Sequence, residues 1–332
     1  MQEAQTLIAS KRQQNAAAGA LVLATVLWGS GFTWAKVGGA TINHATGAGD
    51  GAAVGPVLLL GVRFLLAGVL WFAIFPQARR GWSMASVRRA LVIGGLVAIG
   101  LIVQHLGLDR TSQAVSAFLT SLTIVFVPIL STLALRESPA VNVWLAVAVA
   151  TAGVFLLTMG GSGGSFGWGE VLGLACAFDF SVYVIAVNAL VPKDDPFRMS
   201  GGQFLVCGIV TLAIVPLLKS GPAALRPHEF ASLFSLRDVW LNCLLLTVFP
   251  TLISYGLLTH YQPKLDATRA TLIYLLEPVF ASLYAFWFAH SPMKRIEILG
   301  AGMILVANAL VEVMEARSRK SRMGDIAPRE QV

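Results

Sequence analysis

The sequence predicts an all-α integral membrane protein in which ten transmembrane helices form two inverted five-helix repeats. Three observations support this fold class. The 332 residues are 56% apolar and 12% charged, with a mean hydropathy of +0.73, whereas soluble domains carry about 25% charged residues. Apolar runs of about 20 residues, the length that crosses a bilayer as a helix, recur along the chain. The two halves also resemble each other weakly.

The apolar runs define the ten predicted spans. Because lipid offers no partner for free backbone groups, and because the runs lack the alternation of barrel strands, we predict a helix for each. In chain order the spans cover residues 17–38, 55–75, 88–108, 111–135, 139–159, 168–190, 200–219, 238–260, 266–289 and 294–315. The chain then divides into a cytoplasmic N-terminal segment (1–16), a first repeat (17–159), a glycine-rich connector (160–167), a second repeat (168–315) and a basic cytoplasmic tail (316–332).

The basic residues predict how the spans are oriented. With both termini in the cytoplasm, fifteen Lys and Arg residues fall in cytoplasmic segments and six in external ones, which agrees with the positive charge that cytoplasmic loops carry. The net charge of +7 is therefore an orientation signal. No stripe of basic and aromatic residues indicates a nucleic-acid partner. We expect a multi-pass protein of the cell (inner) membrane with both termini cytoplasmic and the lipid bilayer as its surroundings.

The fourth and ninth spans carry the internal similarity. An offset of 154 residues aligns Val125-Phe126 with Val279-Phe280 and Leu119 with Ile273. Each half then contains five spans, and an odd number of spans turns the second copy upside down in the membrane. Inverted repeats of this kind are typical of transporters, whose substrate site lies between the halves near the midplane.

The ninth span contains the most informative pair of residues, Glu277-Pro278. A carboxyl group near the centre of a span is costly and usually functional, and proline there predicts a kink. Tyr274 shares the face of Glu277 at a spacing of three. The two side chains either line a substrate pathway, with Glu277 taking a proton or a substrate ammonium group, or bond a neighbouring helix. Pro128 predicts a kink in the fourth span.

Other polar residues inside the spans are further pathway candidates. Asp179 lies in the sixth span with Tyr183 one turn later, either as a proton site or as a carboxyl group satisfied by helix hydroxyls. The repeat matches that span with the first span, where Trp28 and Thr33 lie. Arg63 in the second span must pair, reach water or snorkel; it compensates an acid or binds a substrate carboxylate.

The third and fourth spans add a hydrogen-bonding surface. Gln104 and His105 lie near the outer end of the third span, as substrate contacts or as interfacial anchors. Thr120 belongs to a stripe of hydroxyl residues, for which close helix packing is the alternative to a pathway role. The stripe consists of Ser112, Ser116, Thr120 and Thr123.

Several short motifs, in order, resemble those of a known family. They are LWGSGF at 27–32, RFLLAG at 63–68, AFLTSLT at 117–123, TRA at 268–270 and LLEPVFA at 275–281. Together they are similar to the drug/metabolite transporter superfamily, and specifically to its ten-helix EamA-type members, over residues 20–160 and 168–312. The resemblance implies export of small metabolites, often amino acids, through a central cavity.

These observations favour a secondary active transporter that exports small organic molecules such as amino acids by alternating access. No GxxxxGK[ST] motif indicates direct use of ATP, and we expect no cofactor and no metal. Proton coupling through Glu277 or Asp179 is an additional hypothesis. The alternatives are a membrane enzyme acting on a lipid or lipid-linked substrate, and a membrane interaction protein without transport. Substrate identity, coupling ion and oligomeric state are not encoded in any motif of the chain.

Overall fold

A computed structural model of the protein describes residues 2–108, 110, 116, 119–135, 141–159, 167–288, 294–296, 298–307 and 310. These residues form helices joined by short turns, and no strand occurs among them. The helices are α1 (Gln2–Ala45), α2 (Val54–Ile74), α3 (Met84–Leu108), α4 (Thr123–Leu135), α5 (Val141–Met159), α6 (Trp168–Leu190), α7 (Pro196–Ile214), α8 (Pro227–Ser235), α9 (Arg237–Leu246), α10 (Ser254–Tyr261), α11 (Ala267–Tyr274), α12 (Leu276–Phe288) and α13 (Ile298–Ala307).

The structure confirms the all-helical class and the apolar character of the helices. Six helical segments are long and apolar enough to cross a membrane, and they correspond to the predicted spans one, two, three, six, seven and eight. Three shorter apolar helices, Leu119–Leu133, Trp144–Leu156 and Ile298–Ala307, fall within spans four, five and ten. Parts of spans four, five, nine and ten, most of the connector 160–167 and the tail 316–332 lie outside the described residues.

The first helix is longer than the predicted span 17–38. It begins at Gln2, in the segment predicted to lie in the cytoplasm, and ends at Ala45. The residues before the apolar run include Lys11, Arg12 and the pair Gln13-Gln14. Lys, Arg and Gln have good helix propensity, so the helix begins well before the apolar run does.

The predicted ninth span is two helices rather than one. α11 ends at Tyr274, and α12 begins at Leu276, with Leu275 in a turn between them. Pro278 has no N–H to donate to the carbonyl of Tyr274, which removes the hydrogen bond that would continue the helix. At its other end α11 is capped by Asp266, whose Oδ1 accepts the N–H of Arg269 at 2.8 Å. The fourth span differs, because α4 continues through Pro128 and its turn lies earlier, at Leu122.

The predicted eighth span contains a π-helical stretch, Thr247–Ile253, between α9 and α10. Pro250 lies inside it and cannot donate to the carbonyl of Leu246. The hydroxyl of Thr251 donates to that carbonyl instead, at 2.8 Å. Such stretches often occur at functional sites, and this one faces α1.

The first helix of each repeat packs against helices of the other repeat. α1 packs against α9, α10, α11 and α12 of the second half, and α6 packs against α3 and α4 of the first half. α2 and α7, which hold corresponding places in the two repeats, pack along each other. Two related repeats that interlock through their first helices produce this pattern of contacts.

Glycines allow the closest of these contacts. A Cβ atom on Gly29 of α1 would lie 2.8 Å from the backbone nitrogen of Ala281 in α12, and one on Gly208 of α7 would lie 2.5 Å from the backbone nitrogen of Leu65 in α2. Small residues let helix backbones approach in this manner in membranes. The two repeats therefore meet backbone to backbone at these points.

Candidate functional site

A central cavity of about 130 Å³ lies between the two halves. One water molecule requires roughly 10–15 Å³ on the same measure, so the cavity has room for a small organic molecule. The walls come from α1, α3, α4, α6, α10, α11 and α12, with Arg63 from α2 and Pro250 from the π-helical stretch. The cavity therefore lies where helices of both repeats meet.

The lining residues follow the internal repeat. Five pairs are separated by the same 154 positions that align the fourth and ninth spans, and three pairs from α1 and α6 are separated by 152 positions. The pairs are Leu101/Tyr255, Gln104/Leu258, Thr120/Tyr274, Ser121/Leu275, Thr123/Glu277, Trp28/Phe180, Gly31/Tyr183 and Phe32/Val184. Equivalent positions thus form opposite walls, while their side chains differ in charge and size.

Most of the predicted site residues line this one cavity. Eight of the ten do so: Trp28, Arg63, Gln104, His105, Thr120, Tyr183, Tyr274 and Glu277. Thr33 is exposed and does not line it. Asp179 is half-buried and turns toward α3, where a Cβ atom on Gly100 would lie 2.5 Å from its Oδ2 atom. Two of the predicted residues are therefore placed away from the cavity.

Trp28 is fixed at the cavity wall by a hydrogen bond and two ring contacts. Its indole Nε1 donates to the carbonyl of Pro250 at 2.9 Å. Its ring lies 5.2 Å from that of Tyr255 and 5.5 Å from that of Tyr274, both in edge-to-face geometry. The indole therefore presents an apolar surface while its polar atom is satisfied in the π-helical stretch.

A chain of polar side chains fixes Tyr183 within the second repeat. Its hydroxyl donates to Gln203 Oε1 at 2.9 Å, and Gln203 Nε2 donates to Thr259 Oγ1 at 2.6 Å. The hydroxyl of Thr259 in turn donates to the carbonyl of Tyr255 at 2.8 Å. Because every member is buried, the chain fixes the two tyrosine rings of the cavity in one arrangement.

A second polar layer lies near the ends of α6, α10 and α11. Tyr274 donates to Gln262 Oε1 at 2.7 Å, and Gln262 Nε2 donates to Asn188 Oδ1 at 2.6 Å and to the carbonyl of Val184 at 2.8 Å. Asn188 Nδ2 donates to the carbonyl of Leu265 at 2.9 Å. This layer, which we call the inner layer (Asn188, Gln262 and Tyr274), extends from the cavity wall at Tyr274 to the turn that begins at Gln262.

The opposite wall is lined by hydrogen-bonding groups of α3 and the segment before α4. His105 donates its Nδ1 hydrogen to the carbonyl of Leu101 at 2.7 Å, which leaves Nε2 as an acceptor in the neutral ring. Gln104 Nε2 lies 3.4 Å from Thr120 Oγ1, and Thr120 donates to the carbonyl of Ser116 at 2.9 Å. These groups give one side of the cavity a polar surface.

The cavity holds one group of each charge, and they are not paired with each other. Arg63 is 6% exposed, and its Nε atom is buried without a hydrogen-bond partner in the part of the chain that the structure describes. Both ion pairs found within 4.0 Å among the described residues belong to Asp194. Tyr255, another wall residue, lies within electrostatic range of both Arg63 and Glu277.

A second cavity of about 270 Å³ adjoins the first. The two share Ala35, His105 and Leu108 in their walls. The second cavity continues past Lys36 and Asn43 of α1 to the turn that contains Asp50. The path from the central cavity therefore leads toward the ends of α1 and α3 that lie away from the inner layer.

Sequence reasoning missed several residues that shape the site. Tyr255 lines the cavity and contacts the rings of Trp28, Phe64 and Tyr183, and the 154-residue offset pairs it with Leu101. Gln203 and Gln262 are buried amides. Gln203 lies in an apolar run, which is a signal for a polar network, whereas Gln262 lies in the predicted loop between the eighth and ninth spans. Pro250 could be recognised from the sequence as a helix breaker. The sequence gives no signal that its carbonyl accepts the hydrogen bond of the Trp28 indole.

The donor set does not favour a metal centre. No group of three or more His, Cys, Asp or Glu side chains in the described ranges could hold a metal ion. Cys176, Cys207 and Cys243 are separate and buried. The chemistry available in the cavity is therefore hydrogen bonding, aromatic contact, one basic side chain (Arg63) and one acidic side chain (Glu277).

Comparison with known proteins places the chain among membrane transporters. The chain is 26% identical over 294 residues to an uncharacterized transporter of Archaeoglobus fulgidus, covering 88% of this chain and 84% of that protein. It is 24% identical to the uncharacterized inner membrane transporter YedA of Escherichia coli, covering 88% and 89%. A chloroplastic WAT1-related protein of Arabidopsis thaliana is 23% identical over 79% of this chain, which spans 64% of that protein's length.

A solved crystal structure shares the fold, with a TM-score of 0.69 at 18% identity over 92% of this chain and 99% of the other. The sequence model of the EamA-like transporter family matches residues 15–159 and again residues 167–313. These two matches coincide with the two predicted repeats and cover nearly the whole chain. The chain is a multi-pass membrane protein that belongs to the EamA-like transporter family.

Proposed function

We propose that this protein is a secondary active transporter that exports small organic metabolites, such as amino acids, by alternating access. The observation that carries the proposal is the central cavity between the repeats, whose opposite walls consist of repeat-equivalent residues. Transporters with inverted repeats bind their substrate at such an interface. The names of the relatives, which are transporters, support the same class.

The inverted arrangement of the repeats is part of the proposal. Each family match contains five predicted spans, and an odd number of spans reverses the second copy. The exchange of contacts between α1 and α6, and the pairing of α2 with α7, is what a two-fold axis in the membrane plane produces. Rocking of one repeat against the other would then open the cavity alternately to each side.

The membrane orientation follows from charge. The excess of positive charge in one set of loops supports an orientation with both termini inside, and the relative YedA is named an inner membrane transporter. In this orientation the inner layer faces the cytoplasm and the second cavity leads outward. The structure then represents a form closed toward the cytoplasm, which is the state in which an exporter releases its cargo.

Flux measurement on the purified protein tests the function. Proteoliposomes are loaded with a panel of amino acids and related small organic acids and amines, and efflux is followed with and without a proton gradient. We expect efflux of at least one compound above that of protein-free vesicles. The control is the variant Tyr255→Ala, which removes a cavity wall and should abolish the specific component. Absence of movement for the whole panel under both conditions would refute the proposal.

A further inference from the structure

We propose that an anionic phospholipid binds beside α3, with its phosphate on Arg80 and Arg88 and its acyl chains along the exposed apolar face of that helix. The proposed membrane orientation places this site in the cytoplasmic leaflet. The inference goes beyond the transport proposal, because it concerns the surface that faces the lipid and uses nothing from the central cavity.

The segment 51–108 carries positive charge that it does not balance with acids of its own. It contains five arginines and no Asp or Glu. One of the arginines lines the central cavity, and another, Arg89, pairs with Asp194 at 2.9 Å. The three that remain are exposed and lie close together in the sequence, at the end of α2 and the beginning of α3. They are Arg79, Arg80 and Arg88.

Two of these three arginines have guanidinium groups that the protein does not use. Arg79 donates to the carbonyls of Phe72 and Ala73, and so caps the end of α2. No hydrogen bond or ion pair involves the side chain of Arg80 or Arg88 in the ranges that the structure describes. Guanidinium groups with free donors and no acidic partner favour an anion, and their fork of N–H groups matches the oxygens of a phosphate.

Arg88 lies on the face of α3 that points away from the protein interior. The opposite face is packed, and a Cβ atom on Gly94 there would lie 2.6 Å from Val206 of α7. The exposed positions recur at helical spacings and form one stripe with Arg88 near its beginning. The apolar members of the stripe are Met84, Leu91, Val92 and Ile99, with exposed fractions of 68%, 52%, 48% and 52%. Such a stripe on a membrane span faces acyl chains.

The length of α3 places Arg88 at the level of the lipid headgroups. The helix has 25 residues and therefore rises about 37 Å, whereas the hydrocarbon core of a bilayer is about 30 Å thick. Arg88 follows the first residue of the helix by four positions, or about 6 Å along the axis. Its guanidinium group can reach the phosphates while its methylene groups stay on the apolar stripe.

The turn before α3 holds the backbone of Arg80 in a fixed position. Its carbonyl accepts a hydrogen bond from Arg198 Nε at 2.9 Å, and the indole of Trp82 donates to the carbonyl of Ala78 at 2.9 Å. Gly81 has a φ of 71°, and a Cβ atom on it would lie 2.6 Å from Nη2 of Arg198. Glycine therefore lets the turn lie directly on that guanidinium group, which fixes where the Arg80 side chain begins.

Binding of two matched lipids tests this inference without any transport step. The delipidated protein is titrated with phosphatidylglycerol or with phosphatidylethanolamine of identical acyl chains, and bound lipid is counted by native mass spectrometry. We expect the wild type to retain at least threefold more phosphatidylglycerol, because the ammonium group of phosphatidylethanolamine competes for its own phosphate. Phosphatidylglycerol should also raise the thermal unfolding temperature, since a ligand that binds the folded protein stabilises it.

The double variant R80Q/R88Q should retain at least threefold less phosphatidylglycerol than the wild type and lose the rise in unfolding temperature. Without lipid it should unfold at the wild-type temperature, because neither side chain has a partner in the described chain, and this separates lost binding from lost folding. The matched control is R226Q/R237Q, which removes two exposed arginines at the ends of α8 and α9. It should retain phosphatidylglycerol like the wild type.

Three results would overturn the inference. The first is equal retention of the two lipids by the wild type, and the second is an equal loss in both double variants, which would reflect net charge alone. The third is displacement of the lipid by an equal concentration of glycerophosphoglycerol, its headgroup without acyl chains, which would show that the apolar stripe takes no part. Failure of these tests leaves the transporter function standing, and absence of flux leaves the lipid site standing.

Discussion

Glu277 is the residue at which the two repeats differ most in chemistry. Thr123, its equivalent, has two acceptors for its hydroxyl, the carbonyl of Thr120 at 2.7 Å and that of Ala177 at 3.3 Å. Glu277 has no such partner in the described chain, and the helix break at Leu275 turns its carboxyl group toward the cavity. We therefore expect Glu277 to act on a bound molecule or a proton and to contribute little to the stability of the fold.

Neutralising Glu277 should therefore affect transport and not folding. In the variant E277Q we expect gradient-driven efflux to fall at least tenfold, because the amide can neither bind a proton nor hold a cation. The thermal unfolding temperature should stay within a few degrees of the wild type. The measurement is efflux from proteoliposomes with an imposed proton gradient.

Asp179 provides the matched control for that variant. Its carboxyl group lies outside the cavity, against Gly100, so D179N should retain most of the efflux. Equal and severe loss in both variants would contradict a special role for Glu277. Unchanged efflux in E277Q at wild-type expression would remove Glu277 as the coupling group.

Much of the lining of the candidate site could be predicted from the sequence because a membrane span contains few polar side chains. Polar and charged side chains inside a membrane span, such as Arg63 and Glu277, are rare and usually functional. Most of the residues predicted on this ground line one cavity. Thr33 and Asp179 were predicted on the same grounds but lie elsewhere, since composition does not fix the rotation of a helix about its axis. Tyr255 was missed because an aromatic residue in an apolar helix is usually packing.

At the scale of elements, the sequence predicts the spans better than their interruptions. Apolar length is a strong signal, and six of the predicted spans are long apolar helices in the structure. Whether a proline breaks the helix depends on which group takes up the carbonyl that has lost its backbone hydrogen bond. Pro128 and Pro278 are both prolines within spans, yet α4 continues through Pro128, whereas the second helix of the ninth span begins two residues before Pro278. Around Pro250 the hydroxyl of Thr251 takes the freed carbonyl and a π-helical stretch forms.

The contact between α1 and α12 gives a prediction for stability. An added methyl group at Gly29 would lie 2.8 Å from the backbone nitrogen of Ala281, and backbone cannot move aside as a flexible side chain can. We expect G29A to lower the free energy of unfolding by about 1–3 kcal/mol, as overpacking usually does. Reversible unfolding in mixed detergent micelles measures it.

The same helix offers its own control. A methyl group added to Gly19 of α1 would meet no atom of the described chain within 4 Å, so G19A should leave stability unchanged or raise it slightly through better helix propensity. If both variants behaved alike, the close approach of α1 and α12 would not be a stabilising contact.

At the scale of the whole molecule, the two repeats are joined by one carboxyl group at the ends that the proposed orientation places in the cytoplasm. Asp194 follows α6, and its carboxylate pairs with Arg89 of α3 at 2.9 Å and with Arg198 of α7. Arg198 also donates through Nε to the carbonyl of Arg80 at 2.9 Å. The connection therefore ties the first repeat to the second on the side where the inner layer closes the cavity.

The protonation of Asp194 sets the pH range of this connection. Burial by itself raises the pKa of a carboxyl group, but at Asp194 it is outweighed by hydrogen bonds and by positive charge, so the pKa lies below its ordinary value. The hydrogen bonds come from Ser86, the backbone N–H of Asp195 and Arg89, and the positive charge from Arg198. A lowered pKa means that the contribution is complete above the unfolded value of about 3.9 and is lost only as the pH falls through the lower folded value. Between pH 5 and 8 the connection should not change.

Removing this charge should open the cytoplasmic side. In the variant D194N both arginines lose their partner, while the rest of the contacts remain, so the population open to the cytoplasm should rise. The readout is the alkylation rate of T271C, a cavity position, in a chain whose own cysteines are replaced, with a membrane-impermeant reagent at the cytoplasmic face. We expect alkylation at least threefold faster in D194N than in the wild type at pH 7. The ratio of the two rates should stay the same between pH 5 and 8, because Asp194 keeps its charge over that range.

The exposed carboxyl of Asp238, at the start of α9 on the other side, supplies the comparison. D238N removes the same charge from the chain without touching the connection, so its alkylation rate should equal that of the wild type. A D194N rate no faster than that of D238N would mean that the cavity is closed by the inner layer alone. In that case the inner layer (Asn188, Gln262 and Tyr274), and not the ion pairs of Asp194, would set the energy barrier between the form closed to the cytoplasm and the form open to it.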